Sequence, residues 1–243
     1  MSNMLITEIT ADRDGFVKEK LKDARPLVTA SVKDGIVLVT ESTGGIRKKI
    51  WPVSKRIAFG AIGVFADFKG AKSQKIIGLE GLQDIAVELA QSTALIYSKE
   101  DVWADDLAIV LSTLVRKIYS NYKMLPLCVE FLLAEVNDEP AHDKLIRIFP
   151  DGTPEETLDS YIILGEDEGK LDKKIAELLK NARTKLENMD ASRAIDLIIK
   201  AILATRKTTD EKKKEIKFEI GILRRDSQFE RLTKEVPRKV KND

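Results

Sequence analysis

Two residue types that carry much of protein chemistry are nearly missing from this chain. Its 243 residues hold one cysteine, Cys128, and one histidine, His142. That excludes an intrachain disulfide framework and a Cys/His zinc cluster, and leaves little scope for a histidine-based catalytic triad. Cys128 lies in the apolar run LPLCVEFLLAEV and reads as a small buried hydrophobe. His142, in the polar stretch NDEPAHDK, reads as a loop residue, so no metal site and no cofactor are expected. No apolar run approaches the roughly eighteen residues of a membrane helix, and the opening MSNMLITEITADRD has no basic stretch leading into an apolar core. A soluble, cytoplasmic protein is the expectation. Charge of one sign is lacking as well: 41 Lys+Arg stand against 40 Asp+Glu, a net +1 spread along the chain, which gives no reason to expect nucleic acid or a membrane surface as partner. No Pro/Gly/Ser-rich stretch divides the sequence, so residues 1–243 read as one domain.

What is present is a regular alternation of strand-like and helix-like blocks. After a polar leader over 1–11, residues 12–24 carry a helix with Phe16, Val17, Leu21 and Ala24 on roughly one side. LVTASV and IVLVTE flank Lys33-Asp34-Gly35, a strong β-hairpin signal because Asp and Gly tolerate positive φ. KKIWPV and RIAFGAIG form a second strand pair, with Pro52 marking an edge or a strand end. Between Val64 and about Tyr122 the spacing becomes helical, with Leu82, Ile85, Ala86, Leu89 and Ala90 in one row and Leu107, Val110, Leu111, Leu114, Val115 and Ile118 in another. Strands return at LCVEFLLAEV, at KLIRIFP with the turn Pro150-Asp151-Gly152, and at SYIILG. A helix with Leu171, Ile175, Leu178, Leu179, Ala182 and Leu186 follows, then an Asp190-capped helix with Ile195, Ile198, Ile202 and Leu203. EIKFEIGIL reads as the last strand, and Phe229, Leu232 and Val236 are spaced for a closing helix. Strands, helices, strands, helices and strand in that order predict an α+β fold, a four-layer α/β/β/α sandwich. The runs IVLV and CVEFLLAEV, apolar on successive residues, fit sheets buried on both faces.

The order of these blocks resembles the proteasome family. The Asp34-Gly35 hairpin, Lys48-Lys49-Ile50, Gly63-Val64-Phe65-Ala66-Asp67 at a helix start, Ile148-Phe149-Pro150-Asp151-Gly152 and Leu164-Gly165 fall in the family's sequence of motifs across nearly the whole chain. Within the family the chain looks most like the bacterial, actinobacterial-type α subunits: it has a short link between Glu41 and Lys49 and lacks the YDR motif of other α subunits. The stretch from Gly63 to Pro126 is longer than in those relatives.

The resemblance implies an N-terminal-nucleophile-hydrolase fold whose active members use a freed N-terminal threonine, its hydroxyl attacking and its own amine acting as base. Aligned on the hairpin, that position holds Arg25 followed by Pro26, and neither supplies an oxygen nucleophile. Thr29 and Ser31, the nearest hydroxyls, read as strand residues with satisfied hydroxyls, and Ser2 as an ordinary start. The acid and lysine of active relatives fall on Glu41 and Lys49. Glu41 reads more readily as a solvated carboxylate at a strand end. The implied role is therefore a non-catalytic α subunit with no catalytic residue of its own. It would form a homo-heptameric ring on proteolytic β-type subunits and dock an AAA-type ATPase. By the same resemblance Lys49 and Gly63 line a pocket for the activator's C-terminal tail. Against this, Lys49 also reads as part of a basic run, Arg47-Lys48-Lys49, on a solvated strand end. The first helix, with Phe16 and Leu21, is implied to make gate and ring contacts, residues 1–11 to form a flexible gate segment, and 237–243 to be a basic tail. An active N-terminal-nucleophile hydrolase, β-type or single-ring, is the alternative.

Overall fold

The computed structural model describes residues 12–42, 48–63, 79–165, 168–206, 215–226 and 228–237. The chain runs α1 (Arg13–Leu21), β1 (Leu27–Val32), β2 (Gly35–Glu41), β3 (Ile50–Pro52), β4 (Ile57–Gly63), α2 (Leu79–Ile96), α3 (Ala104–Ser120), β5 (Val129–Glu135), β6 (Lys144–Ile148), β7 (Pro154–Glu156), β8 (Tyr161–Leu164), α4 (Glu168–Ala182), α5 (Ala191–Thr205), β9 (Glu215–Arg224) and β10 (Phe229–Pro237). Short 3-10 turns lie at Pro140–His142 and Leu186–Asn188. One antiparallel sheet has the order β10-β9-β2-β1-β8 and the other β3-β4-β5-β6-β7, which places the Pro52 strand at an edge.

Strand alternation sorts the apolar residues into three layers of core. Val28, Ala30, Val32, Val37 and Val39 turn outward onto α4 and α5. Val129, Phe131 and Leu133 turn outward onto α2 and α3. The intervening Leu27, Ile36 and Leu38 meet Ala58, Ile62, Leu132 and Ala134 between the sheets. Every residue of β1, β2 and β5 is buried, the physical reason these strands are predominantly apolar on both faces. The four-layer α+β sandwich expected from the order of blocks is the fold observed.

Local chemistry sets the joints. The β1–β2 hairpin pairs Val32 with Gly35. A Cβ on Gly35, whose φ is 151°, would stand 2.2 Å from the Leu223 carbonyl oxygen, so only glycine lets β9 approach there. Asp190 caps α5 through Arg193 N at 2.9 Å, and Asp34 in the hairpin turn accepts from Ala191 N at 2.8 Å. At the same end of the sandwich Asp143, its side chain fully buried, accepts Arg225 Nη1 at 2.8 Å and Nη2 at 3.0 Å. Arg225 also donates to the Val32 and Lys33 carbonyls, which ties the β1–β2, β5–β6 and β9–β10 connections into one knot.

Two expectations need correction, and one strand was not anticipated. Phe229, Leu232 and Val236 lie on β10, paired with Leu223, Ile220 and Ile216 of β9, and not on a helix. A tight turn after Arg224 brings the segment back along β9, where nine cross-strand pairs outweigh a helical spacing with Leu232 exposed. Leu186 is buried but outside α4, which ends at Ala182 before Arg183 turns to a φ of 52°. The exposed three-residue β7, PEE, carries no apolar alternation and could not be seen from the sequence. The helix start at Val64-Phe65-Ala66-Asp67, the leader 1–11 and the tail beyond Pro237 lie outside the described residues.

Candidate functional site

The residues singled out for chemistry converge at the head of β1. Register brings them there: Leu27 pairs with Thr40 of β2, and Thr40 with Glu219 of β9. Arg25 and Pro26 lead into the strand. Thr40 Oγ1 donates to the Pro26 carbonyl at 2.8 Å. Lys49 Nζ donates to the Arg25 carbonyl at 3.4 Å and to Thr40 Oγ1 at 3.3 Å. Glu41 lies between two guanidinium groups, Arg206 Nη2 at 3.0 Å and Arg25 Nε at 3.5 Å. The carboxylate of Glu219 accepts from the backbone N–H of Lys49 and of Ile50 at 3.1 and 3.2 Å, joining β9 of one sheet to β3 of the other.

Glu41 and Lys49 are only 8% and 3% exposed, so both solvated readings give way: Glu41 is a buried, doubly paired carboxylate and Lys49 a buried amine. Burial lowers the Lys49 pKa to about 8, against the opposing pull of the Glu219 and Glu41 carboxylates. At the position that the resemblance assigns to an N-terminal hydroxyl stands the Arg25-Pro26 peptide. Its carbonyls take the donors of Lys49 and Thr40, and the Arg25 side chain takes up one side of Glu41. Among the described residues here, no hydroxyl stands free beside a free base, which is what nucleophilic attack needs.

The other hydroxyls are poorly placed. Thr29 sits in mid-strand between Leu38 and Ile162 and is fully buried; its Oγ1 has no hydrogen-bond partner, which corrects the expectation of a satisfied hydroxyl. Ser31 lies at the opposite end of β1, its Oγ directed at Asp143 Oδ2 at 2.5 Å. Cys128 is buried, and desolvation pushes its thiol up to about 11, so it is inert at neutral pH. His142 is an exposed residue of a 3-10 turn. Among the described residues no group of His, Cys, Asp and Glu could hold a metal ion, and no helix is long and apolar enough to cross a membrane.

Lys49 and Gly63 lie at one end of the β3–β4 pair. The Lys49 carbonyl accepts Ala61 N at 2.9 Å, and Gly63, with a φ of 128°, ends β4 where a Cβ would stand 2.2 Å from the Cys128 carbonyl oxygen. Phe16 and Leu21 are half-buried on α1, the helix that packs against β4. That helix is held by a residue the sequence did not single out. The buried Arg13 donates to the carbonyls of Ile118, Asn121 and Met124 at 3.4, 3.3 and 2.9 Å, capping the C-terminus of α3 with a cation where the helix dipole favours one. Arg206 and Glu219 were also missed. Glu219 left a trace: it is the acid that breaks the apolar run Phe218, Ile220, Gly221, Ile222. Arg206, in a loop after a helix, left none.

No family profile matches the chain. Individual relatives do. The proteasome subunit alpha of Acidothermus cellulolyticus is 31% identical over 65% of this chain and 62% of its own length, so the chain spans less than two thirds of that relative. The proteasome subunit alpha of Streptomyces coelicolor is 26% identical over 93% of this chain and 82% of its own length. That of Arthrobacter sp. strain FB24 is 26% identical over 97% and 92%. Along nearly all its length the chain is similar to these proteasome α subunits, and its fold is a two-sheet sandwich.

Proposed function

We propose that this protein is the non-catalytic α-type subunit of a cytoplasmic proteasome core particle. Copies of the chain form a heptameric outer ring that stacks on a ring of proteolytic β-type subunits, gates substrate entry and docks an AAA-type ATPase. The observation that carries the reading is the closed head of β1: Arg25 and Pro26 stand where the nucleophile would be, bonded to Lys49, Thr40 and Glu41. The names of the relatives support the same assignment.

Within that role Lys49 and Gly63 line the pocket for the activator's tail. In the single chain the Lys49 amine is turned inward, so docking draws it from the Arg25 carbonyl and Thr40 toward an incoming carboxylate, which favours the charged amine. Weak contacts of this kind, repeated around a ring, sum through avidity. Phe16 and Leu21 of α1 serve the ring contact, and residues 1–11 the gate. Co-expression with a threonine-processed β-type homologue tests the assignment. The outcome expected is a stacked cylinder in which this chain retains its unprocessed start at Met1 or Ser2; cleavage before Thr29 or Ser31 contradicts it. Lys49→Ala leaves such cylinders assembled and removes ATPase-stimulated degradation.

A further inference from the structure

Lys49 is a buried amine whose two hydrogen bonds run to neutral oxygens, the Arg25 carbonyl at 3.4 Å and Thr40 Oγ1 at 3.3 Å. Among the described residues no carboxylate forms an ion pair with it. The two acids nearby are committed elsewhere. Glu219, on β9, accepts the backbone N–H groups of Lys49 and Ile50. Glu41, on β2, faces the guanidinium groups of Arg206 and Arg25. Burial is the main cause of the low Lys49 pKa; Glu219 and Glu41 oppose it, and the neighbouring Arg25 charge adds to it. Two cations therefore converge at the head of β1, and a small anion placed between them would relieve their repulsion.

The two arginines on Glu41 are not equivalent. Arg206 Nη2 stands 3.0 Å from one carboxylate oxygen, and both of those side chains are 10% exposed. Arg25 Nε stands 3.5 Å from the other oxygen, and the Arg25 side chain is 34% exposed. Of the three cations, Arg25 is the one that solvent reaches most. Stripping a buried carboxylate of its cation is strongly destabilising, but Glu41 keeps Arg206 when Arg25 turns away. A guanidinium also offers its donors as a planar fork that matches both oxygens of a carboxylate, which an ammonium does not.

We propose that Arg25 turns from Glu41 to hold an incoming C-terminal carboxylate beside Lys49, while Arg206 stays on Glu41 and balances its charge. This rests on the reading of Lys49 as receiver of an activator's tail, and adds the residue that sets the preference for a carboxylate. Glu41 is then a competitor of the tail for Arg25. Ligand-observed saturation-transfer NMR on the full chain tests this, with N-acetyl-trialanine as probe and its C-terminal amide as control. Working at about pH 6, well below the Lys49 pKa, keeps that amine charged in every variant. Wild type binds the acid in preference to the amide. Arg25→Gln weakens binding of the acid about tenfold, the worth of one charge-assisted hydrogen bond, and Arg25→Lys restores part of it by returning charge without the fork. Glu41→Gln removes the competitor and tightens binding, a gain that a purely structural role of Glu41 would not give. Arg206→Gln weakens binding without touching the probe, because Glu41 then retains Arg25. Loss of binding in Lys49→Ala with none in Arg25→Gln overturns the role of Arg25 and leaves the pocket standing. Equal binding of acid and amide by wild type overturns both. A folded Glu41→Gln that binds the acid no more tightly than wild type overturns the competition, and the role of Arg25 with it.

Discussion

Replacing Lys49 by methionine tests the electrostatics at the head of β1. The amine is 3% exposed and its pKa falls from 10.5 to about 8 on folding, so the native state binds this proton less tightly than the unfolded chain does. Between the two values the unfolded state carries more protons, and stability therefore rises with pH across that window. The full shift corresponds to about 3 kcal/mol at neutral pH. Between pH 7 and pH 9.5 about 2 kcal/mol of it is recovered as the unfolded lysine loses its advantage. The isosteric methionine has no proton to titrate, and the two hydrogen bonds it forfeits are long, at 3.3 and 3.4 Å. Urea denaturation of both proteins at the two pH values isolates the effect, because the tyrosines and carboxylates contribute equally to each. The expected result is that wild type gains about 2 kcal/mol more than Lys49→Met on going to pH 9.5. Parallel pH dependences would refute the reasoning and show that the native amine is solvated or fully paired.

Other parts of the fold give further expectations. Asp143→Ala leaves the Arg225 guanidinium without its bidentate partner in a site where the Asp143 side chain is wholly buried, and a loss of roughly 3–5 kcal/mol is expected by chemical denaturation. Thr29→Val removes the buried Oγ1 that has no partner and keeps its shape, so a gain of about 1 kcal/mol is expected in the same assay. Arg13→Met uncaps the carbonyls at the end of α3. It should speed amide exchange in α1 and the last turn of α3 while the sheets stay protected.

The sandwich was legible because its strands are buried on both faces and its helices on one. Continuous apolar runs such as Gly35–Glu41 and rows such as Leu107, Leu111 and Val115 leave no other arrangement. The site was half legible. Arg25, Pro26 and Glu41 could be placed by their distance from the Asp34-Gly35 turn, since a hairpin fixes register, whereas Lys49, just before β3 of the other sheet, was placed by the family resemblance. What closes the site could not be placed this way. Arg206 and Glu219 come from the far end of the chain, and contacts across 165 and 170 positions, Arg206 to Glu41 and Glu219 to Lys49, leave no spacing to read. The β10 error has the same origin, because Phe229, Leu232 and Val236 satisfy a helical period that only pairing with β9 overrules. Glu41 was misjudged because a strand-end carboxylate looks solvated until its two arginines are located.

The central claim of the proposed function is that this polypeptide supplies no attacking group. Incubation of the purified chain, alone and within a core particle, with an epoxyketone or β-lactone probe followed by intact-mass analysis tests it directly. The account predicts an unmodified mass for this chain in both settings, with adducts confined to any β-type partner. A stoichiometric adduct on this chain, at Thr29, Ser31 or any other residue, would contradict it.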